Sequence, residues 1–223
     1  MAGQDLFQML LADVEAGKLT ARRRTFAKGD IVFHEGDTGD TVDLVVEGMF
    51  GVRITTPPGG TLILDILEPG GVFGEFAVFS TQGRRTSGIG AMSGGETLEI
   101  GRSQLRNALH DRPELYEKLI ATIVDKTDRA NRRLTELLYV PAEIRVLRAL
   151  LELTDEDDRE VDLTQADLAS FAATTRPTAN RVLREEADRG TVSMGRGRIT
   201  VVDAERLARR ARISVDRPTA RVS

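Results

Sequence analysis

The pattern of apolar and polar positions changes twice along the chain. Residues 4–18 have the spacing of a short amphipathic helix that ends near Gly17. From Thr25 onward, short apolar runs alternate with turns rich in glycine, proline and aspartate, which favour tight backbone reversals. The predicted strands are residues 31–33, 42–46, 51–55, 61–67 and 97–100. Many short strands at this spacing predict a β-sandwich or a β-barrel in the first half of the chain.

From about Pro113 the apolar positions recur in alternating steps of four and three residues. The positions are Tyr116, Ile120, Ile123, Thr127, Ala130, Leu134 and Leu137. This spacing lasts for just over three heptads, and Lys, Asp and Arg flank it. The pattern therefore predicts a long helix that pairs with a second copy of itself. The alternative is a single helix that packs on its own domain.

A second helical region follows a predicted break at residues 138–141, where Pro141 lacks the N–H that would continue a helix. The next predicted helix carries the apolar residues Ile144, Val146, Leu147, Leu150 and Leu151, and an acidic turn at residues 155–160 closes it. A short helix buried through Leu168, Phe171 and Ala172 comes next, followed by a tight turn at residues 173–175.

Arg176 opens the following predicted helix, with Thr175 as its N-cap and Pro177 in its first turn. The apolar face consists of Ala179, Val182, Leu183 and Ala187. The opposite face consists of Arg176, Thr178, Asn180, Arg181 and Arg184. An arginine-rich helix after a tight turn is typical of a helix-turn-helix, because arginine binds guanine O6 and N7 in a bidentate manner. The alternative is a helical docking domain with a solvated arginine face.

The C-terminal end of the chain completes this module. Strands at residues 191–194 and 199–202 flank an arginine-containing tip at residues 195–198, which is typical of a wing. A last basic helix is predicted at residues 203–212 with Asp203 as its cap, and the residues from Ser214 onward are predicted to be disordered.

Composition fits a globular protein with one large or two modest domains, since 223 residues include 40% hydrophobic and 30% charged ones. No apolar run approaches the ~20 residues of a membrane span, and the N-terminus lacks a signal pattern, so a cytoplasmic protein is expected.

The net charge of −4 argues against nucleic-acid binding, but the distribution of the charged residues along the chain reverses that conclusion. Residues 164–223 carry twelve arginines against seven acidic residues, which confines a basic surface to the C-terminal segment. The alternative is a basic tail that only aids solubility.

The residue inventory argues against several classes of site. The chain has no cysteine, which excludes disulfides, thiolate metal sites and iron–sulfur clusters. Only His34 and His110 are present, too few and too distant in sequence to indicate a metal or a haem. A metal-dependent enzyme on a jelly-roll needs clustered histidines and carboxylates, so we expect no enzymatic activity.

The segment from Gly74 to Thr86 contains the candidate ligand chemistry. Gly74 permits close approach of a ligand to the start of a short helix, whose free N–H groups suit an anion. Phe76, Val78 and Phe79 are expected to anchor that helix in a core. Arg85 adds a planar donor fork suited to phosphate, and Glu75 adds an acceptor suited to a sugar hydroxyl. A phosphate bonded to a sugar is the predicted ligand.

Gly74-Glu75, followed ten residues later by Arg85-Thr86, resembles the phosphate-binding cassette of cyclic-nucleotide-binding domains. The whole chain resembles the Crp/Fnr family of bacterial transcription factors. The resemblance implies that Glu75 takes the ribose 2′-hydroxyl and that Arg85 and Thr86 take the cyclic phosphate. The alternative for this segment is a structural ion pair between Glu75 and Arg85.

The resemblance implies an α+β fold with an N-terminal cyclic-nucleotide-binding β-roll (jelly-roll), a long dimerisation helix and a C-terminal winged helix-turn-helix. The expected boundaries are 1–112, 113–140 and 141–212, with a disordered tail at 213–223. The implied nucleotide-binding residues are Phe73, Gly74, Glu75, Phe76, Ala77, Arg85, Thr86, Lys126, Ala130 and Asn131. The implied DNA-binding residues are Thr164, Gln165, Thr175, Arg176, Thr178 and Arg181. By resemblance, the two arginines read bases and the other four hold phosphates.

The sequence departs from the family at several of these positions. Ala130 and Asn131 stand where a threonine and a partner-subunit serine usually hydrogen-bond adenine, and alanine cannot replace that bond. Cyclic AMP is the expected effector; cyclic GMP is the second choice, because Thr86 could reach a guanine amino group. Pro177 stands where a base-reading glutamate is common, and Ala173 replaces a turn glycine, which a slightly wider turn should absorb.

The expected partners are palindromic double-stranded DNA, a second copy of the chain and RNA polymerase, with no membrane. Two alternatives of function stay open at this point. A family member without an effector would bind DNA constitutively, and a cyclic-nucleotide-gated regulatory subunit would lack the helix-turn-helix.

Overall fold

The computed structural model describes residues 2–57, 59–154, 159–161, 163–195 and 198–213. The chain divides into two compact units, Met1–Asn131 and Arg132–Ser223. Among the described residues, no helix is both long and apolar enough to cross a membrane.

The first unit is a β-roll made of two antiparallel four-stranded sheets. Its strands are β1 (Arg22–Phe26), β2 (Ile31–Phe33), β3 (Thr41–Glu47), β4 (Phe50–Thr55), β5 (Thr61–Leu67), β6 (Val72–Phe73), β7 (Gly88–Ala91) and β8 (Gly95–Gly101). The strand orders are β1-β8-β3-β6 and β2-β7-β4-β5. The helices are α1 (Ala2–Glu15), α2 (Glu75–Phe79), α3 (Arg102–Asp111) and the N-terminal part of α4 (Pro113–Tyr139).

Two cores lie on opposite faces of β3, because successive side chains of a strand point to opposite sides of the sheet. Val42 and Leu44 pack in a cluster with residues of α1, α3 and α4. Val45 packs between the two sheets with Phe50 and Phe73. The space between the sheets is therefore filled by aromatic and branched side chains, and the helices cover one outer face.

The second unit begins within α4 and, among its described residues, contains four further helices and a small sheet. After α4 come α5 (Ala142–Glu152), β9 (Glu160–Val161), α6 (Gln165–Phe171), α7 (Arg176–Asp188), β10 (Val192–Gly195), β11 (Arg198–Val201) and α8 (Ala204–Ile213). The strand order is β10-β11-β9, all antiparallel. Helix α5 packs on α6, α7 and α8.

Most predicted elements are present, with boundaries shifted by a few residues. Helix α1 ends at Glu15, two residues before Gly17, which has a φ of 69°. The predicted strands all appear, but β1, β6, β7, β9 and helix α3 were missed. The segment of β1 begins Arg-Arg-Arg and looks too polar for a strand, yet its arginines pair with glutamates of β8.

Three predictions near the C-terminus need correction or lie outside the described residues. Glu160 belongs to β9 rather than to an acidic turn, and residues 155–158 of that turn are not among the described ones. The tip residues 196–197 of the predicted wing and the tail residues 214–223 are also outside them. Residue 213, predicted to start the tail, is the last residue of α8.

Candidate functional site

A cavity of about 370 Å³ opens in the first unit among the β-roll strands, α2 and α4. This volume falls in the range of small-molecule sites. All ten residues that the sequence predicted for a nucleotide line it: Phe73, Gly74, Glu75, Phe76, Ala77, Arg85, Thr86, Lys126, Ala130 and Asn131. The fold thus brings the cassette and the α4 positions together around one space.

The start of α2 depends on a glycine at position 74. Gly74 has a φ of 93°, in the left-handed region that favours glycine. A Cβ atom there would also lie 2.4 Å from Nη1 of Arg85 and 2.6 Å from the carbonyl oxygen of Thr41. The glycine is therefore needed both for the backbone conformation and for the approach of Arg85.

The anchoring of α2 differs from the sequence-based expectation at Phe76. Val78 is fully buried and Phe79 is partly buried against the helical core, as expected, but Phe76 is 40% exposed. Ala77 takes the inward position beside Val78 instead. Because successive residues turn by ~100° around a helix, Ala77 and Val78 share the inner face and leave Phe76 on the cavity side.

Arg85 is held in place by oxygen atoms of β3 and of the cassette. Its Nη1 donates to the carbonyl oxygens of Thr41 at 2.8 Å and Gly74 at 3.2 Å, and its Nη2 donates to Oγ1 of Thr41 at 2.8 Å. The guanidinium carbon lies 4.0 Å from the ring centroid of Phe33. Burial lowers the pKa of Arg85, and arginine nevertheless keeps its charge in proteins.

The Nε atom of Arg85 is buried and has no hydrogen-bond partner within the described part of the chain. An unpaired buried donor is unfavourable by ~1–3 kcal/mol. Nη1 already donates to two carbonyl oxygens, and Nη2 uses one of its two hydrogens for Thr41. An oxyanion can therefore bind at the other edge of the guanidinium, which carries the Nε hydrogen and the remaining Nη2 hydrogen.

Glu75 is 1% exposed and carries a buried acceptor atom without a hydrogen bond from any described residue, where Arg85 carries such a donor. Its Oε1 accepts a hydrogen bond of 2.6 Å from Nζ of Lys126, which also donates to the carbonyl oxygen of Val72 at 2.7 Å. Its Oε2 is buried and, in the region that the structure describes, accepts no hydrogen bond. The ion pair of Glu75 is thus with Lys126 and not with Arg85, and a free acceptor remains for a hydroxyl group.

The opposite end of the cavity is formed by α4 and by the sheet of β4 and β5. Ala130 and Asn131 are exposed on α4, and Leu64 and Asp65 face them from β5 as lining residues. Arg129 forms an ion pair of 3.7 Å with Asp65. Neither Asp65 nor Arg129 was predicted from the sequence. Helical spacing from Lys126 could have indicated Arg129, whereas Asp65 comes close to it only through the fold.

In the second unit, α6, the turn and α7 form a helix-turn-helix. The hydroxyl of Thr164 accepts from the N–H of Asp167 and caps α6, and that of Thr175 accepts from the N–H of Thr178 and caps α7. Gln165 begins α6 and is partly exposed. Pro177 lies in the first turn of α7, as the sequence predicted. Of the predicted apolar face of that helix, Ala179, Val182 and Leu183 are buried and Ala187 is partly buried. The predicted DNA-binding threonines thus lie at the two helix starts.

The two predicted base-reading arginines differ in their surroundings. Arg176 is exposed at the start of α7 and lines a shallow cleft together with Asn180 and Arg184. Arg181 is exposed as well, but it forms ion pairs with Glu185 of its own helix at 2.8 Å and with Glu143 of α5 at 2.7 Å. Glu143 was not predicted, because 38 residues separate it from Arg181.

The turn between α6 and α7 corrects a further expectation. Ala173 has a φ of 48°, so the turn keeps the tight left-handed conformation of a glycine and does not widen. Arg145 of α5 donates to the carbonyl oxygens of Ala172 at 3.0 Å and Ala173 at 2.8 Å, which fixes the turn. Arg133 of α4 stacks on the ring of Phe171 with its guanidinium carbon 3.7 Å from the centroid.

Comparison with known proteins agrees with this arrangement. Residues 23–112 match the cyclic nucleotide-binding domain family, and residues 144–210 match the Crp-like helix-turn-helix domain family. The chain is 31% identical to a CRP-like cAMP-activated global transcriptional regulator of Mycobacterium tuberculosis, over 84% of this chain and 87% of the relative. It is 29% identical to the cyclic AMP receptor protein of Thermus thermophilus, over 92% and 95% of the two chains.

Among solved structures, a transcriptional regulator of the CRP/FNR family from Thermus thermophilus superposes with a TM-score of 0.71 at 26% identity. The match covers 85% of this chain and 98% of that one. Both domain matches, their order along the chain and the similarity to known regulators over most of the chain agree. The protein is therefore a member of the Crp/Fnr family of DNA-binding transcription regulators.

Proposed function

We propose that the protein is a homodimeric transcription regulator whose DNA binding responds to a cyclic nucleotide, with cyclic AMP as the effector. One observation carries the ligand proposal: a buried unpaired donor, Arg85 Nε, and a buried unpaired acceptor, Glu75 Oε2, belong to two residues that line one cavity. A cyclic nucleotide offers both counterparts, a phosphate oxyanion and a ribose hydroxyl.

Cyclic AMP is preferred because two relatives that cover most of the chain carry cyclic AMP in their names. Cyclic GMP is the second candidate. Ala130 offers no hydroxyl to an adenine, whereas Thr86 is exposed on the cavity wall and carries one. In this proposal phosphate and ribose recognition supply most of the affinity, and base selectivity is weak.

The dimer proposal is supported by the exposed apolar side chains of α4. In the single protomer Tyr116, Ile120, Leu134 and Leu137 all present large apolar surfaces to solvent. They share the heptad positions on one side of the helix, and a contiguous exposed apolar surface of this kind favours an interface. A second copy of α4 is the partner that matches its spacing.

The two-fold symmetry of the proposed dimer predicts a matching symmetry in the DNA site. A dimer that presents two α7 helices should recognise a palindromic operator whose half-sites lie about one helical turn apart, roughly 34–36 Å. In this proposal the base-reading residues are Arg176 and Arg181, and Thr164, Gln165, Thr175 and Thr178 hold phosphates. The protein would act in the cytoplasm, with RNA polymerase as a further partner.

Isothermal titration of the full chain with cyclic AMP and with cyclic GMP tests the ligand proposal directly. The matched variants are Arg85→Gln, which removes the buried guanidinium, and Arg84→Gln, which removes its exposed neighbour. We expect Arg85→Gln to lose binding and Arg84→Gln to keep it. Absence of binding heat for both nucleotides with the parent chain would contradict the proposal.

Fluorescence anisotropy with an operator selected from random DNA tests the response. Cyclic AMP should tighten DNA binding of the parent and of Arg84→Gln, and it should have no effect on Arg85→Gln. Equal DNA affinity with and without nucleotide in the parent would instead indicate a constitutive regulator.

Sedimentation measures the oligomeric state. Leu134→Glu places a charge in the apolar seam and should yield a monomer, whereas Arg132→Glu changes an exposed position on the opposite side of α4 and should leave the dimer intact. A monomeric parent chain, or a Leu134→Glu variant that still dimerises like the parent, would refute the interface.

A further inference from the structure

A carboxylate is completely buried inside the β-roll, away from the lining of the cavity. Asp43 of β3 is 0% exposed. The hydroxyl of Thr97 donates to its Oδ1 at 2.9 Å, and Nη1 of Arg24 lies 3.6 Å from the same oxygen. Its Oδ2 has no hydrogen-bond partner among the described residues. An ionised carboxylate in this environment is poorly compensated, because burial of a charge is unfavourable unless it is paired and hydrogen-bonded.

The position of Asp43 on β3 relates it to the arginine of the phosphate-binding cassette. Thr41, Asp43 and Val45 lie two residues apart, so their side chains share one face of the sheet. Thr41 holds the guanidinium of Arg85 through its hydroxyl, and Val45 packs in the core between the two sheets. Asp43 therefore lies between the residue that anchors Arg85 and the apolar interior.

Charged groups of β1, β8 and the segment after α2 act on the carboxylate of Asp43. Arg24 approaches from β1 and Glu99 from β8, and these two also pair with each other at 2.9 Å. Arg85, in the segment that follows α2, also acts on Asp43 through its positive charge. The carboxylates of Asp40 and Glu75 in turn interact with the charge of Arg85. The residue opposite Asp43 on β6 is Phe73, which has no charge. Within this set, Arg85 is the cation that a bound phosphate would reach.

We propose that Asp43 is a positioning residue for phosphate recognition, acting through Arg85: binding of a cyclic nucleotide phosphate at Arg85 is coupled to uptake of one proton by Asp43. The inference rests on the proposed nucleotide site and adds a proton to its binding equilibrium. In the complex, the guanidinium of Arg85 binds the phosphate. The carboxyl group of Asp43 is then neutral, so it no longer competes with the phosphate for the positive charge of Arg85.

The direction of the pH effect follows from the electrostatics. Burial raises the pKa of Asp43 to about 6, and the negative charge of Glu99 also raises it. The hydrogen bond from Thr97 and the positive charge of Arg24 lower this pKa, and the positive charge of Arg85 lowers it as well. A phosphate at Arg85 offsets that last contribution, so binding raises the pKa of Asp43 further. Well below pH 6 Asp43 is neutral with or without ligand, and the affinity is highest and constant. As the pH rises through about 6, Asp43 of the free protein ionises first, and the affinity falls until Asp43 of the complex ionises too.

Isothermal titration with cyclic AMP between pH 6 and pH 8, in pairs of buffers with different ionisation enthalpies, measures the proton uptake. The difference in heat between two buffers gives the number of protons bound. We expect the dissociation constant to decrease by about three- to tenfold from pH 8 to pH 6, with net uptake of a fraction of a proton inside this window.

Variants identify the group that takes the proton. Asp43→Asn should bind with pH-independent affinity, close to that of the parent at pH 6, and without proton uptake. His34→Gln and Glu15→Gln change exposed groups and should keep the uptake of the parent. Arg24→Gln removes the nearest cation, which should raise the pKa of Asp43 and move the pH range of proton uptake to higher values. This variant tests the role of Asp43 if Asp43→Asn does not fold.

The outcomes separate the two levels of the proposal. If the parent binds no nucleotide at any pH, the nucleotide site itself is refuted. If it binds without proton uptake, or if uptake persists in Asp43→Asn or disappears in His34→Gln, the nucleotide site stands and the role of Asp43 is refuted. An unchanged pH window in Arg24→Gln would also overturn it.

Discussion

Lys126 of α4 donates a hydrogen bond of 2.6 Å to the carboxylate of Glu75, at the first residue of α2. The pair is largely removed from solvent, since the Glu75 and Lys126 side chains are 1% and 15% exposed. It connects the helix that carries the apolar seam to the element that carries the predicted ribose acceptor. A ligand hydroxyl that binds Glu75 would therefore act on a residue already bonded to α4.

Replacing Lys126 by methionine should destabilise the first unit by about 3 kcal/mol, because removing one partner of a buried pair leaves an uncompensated charge. The double variant Lys126→Met/Glu75→Gln should regain most of that stability, since the neutral amide no longer needs a cation. Urea denaturation measures both. Equal losses in the single and double variants would show that packing of the lysine, and not its charge, accounts for the effect.

Gly39 gives Arg85 the room that its conformation requires. A Cβ atom at this position would lie 2.5 Å from Nε of Arg85 and 2.6 Å from Cβ of Ala77. Gly39→Ala should displace the guanidinium and reduce nucleotide affinity at least tenfold, about 1.4 kcal/mol. Gly101→Ala is the matched control: Gly101 has a φ of −71°, and the nearest atom to its added Cβ is 3.6 Å away. Titration calorimetry should show a loss only for Gly39→Ala.

The sequence predicts those parts of the fold that depend on local pattern. Strand runs bounded by turns, the heptad spacing of α4 and the caps at Thr175 and Asp203 are all visible without a structure, and all are present. The cassette is likewise local, because Gly74 and Arg85 are eleven residues apart. Seven of the ten residues predicted to bind a nucleotide lie in or beside this segment, at positions 73–77 and 85–86, whereas Lys126, Ala130 and Asn131 were implied by the family resemblance; all ten line one cavity.

The remaining features depend on contacts between distant segments. Phe76 was expected to anchor α2 in the core and also, by resemblance, to contact the nucleotide, and only the orientation of the short α2 shows that it lines the cavity and leaves the core to its neighbours. The pairing of Arg181 with Glu143 and the surroundings of Asp43 involve residues 38 and 54 positions apart. No periodicity encodes such pairs, so they appear only once the strands and helices are assembled.

Arg176 is the exposed arginine at the start of α7, and its loss should affect specific DNA binding. Arg176→Ala should weaken binding to a selected operator by ~1–3 kcal/mol and relax the preference at one base position. Arg106→Ala removes one exposed positive charge from the first unit and serves as the control. Selection from random DNA followed by anisotropy measures both quantities. If Arg176→Ala binds every sequence as the parent does, the assignment of α7 as the reader is incorrect.

Arg181 must leave two carboxylates before it can contact a base or a phosphate. Glu143→Gln removes one of them, so it should raise DNA affinity by about two- to fivefold, as expected for loss of an exposed competing ion pair. Glu152→Gln, on the same helix but paired with Arg133, should have no such effect. Anisotropy titrations at several salt concentrations provide the comparison, and a decrease in affinity for Glu143→Gln would mean that Glu143 orients Arg181 productively.

Ala173 adopts a left-handed conformation with a φ of 48° in the turn between α6 and α7. This conformation is unfavourable for alanine by ~1–2 kcal/mol, whereas glycine adopts it without strain but loses ~0.4–1 kcal/mol through greater freedom of the unfolded chain. Ala173→Gly should therefore stabilise the second unit by about 0.5–1 kcal/mol.

The neighbouring position supplies the control for this prediction. Ala172 has an ordinary φ of −76°, so Ala172→Gly relieves no strain and should destabilise the unit by about 0.5–1 kcal/mol. Thermal and urea denaturation of both variants should give shifts of opposite sign. Arg145 donates to the carbonyl oxygens of both residues, so the loss of those hydrogen bonds cannot explain a difference between them. Two destabilising shifts would mean that the turn stores no strain at Ala173.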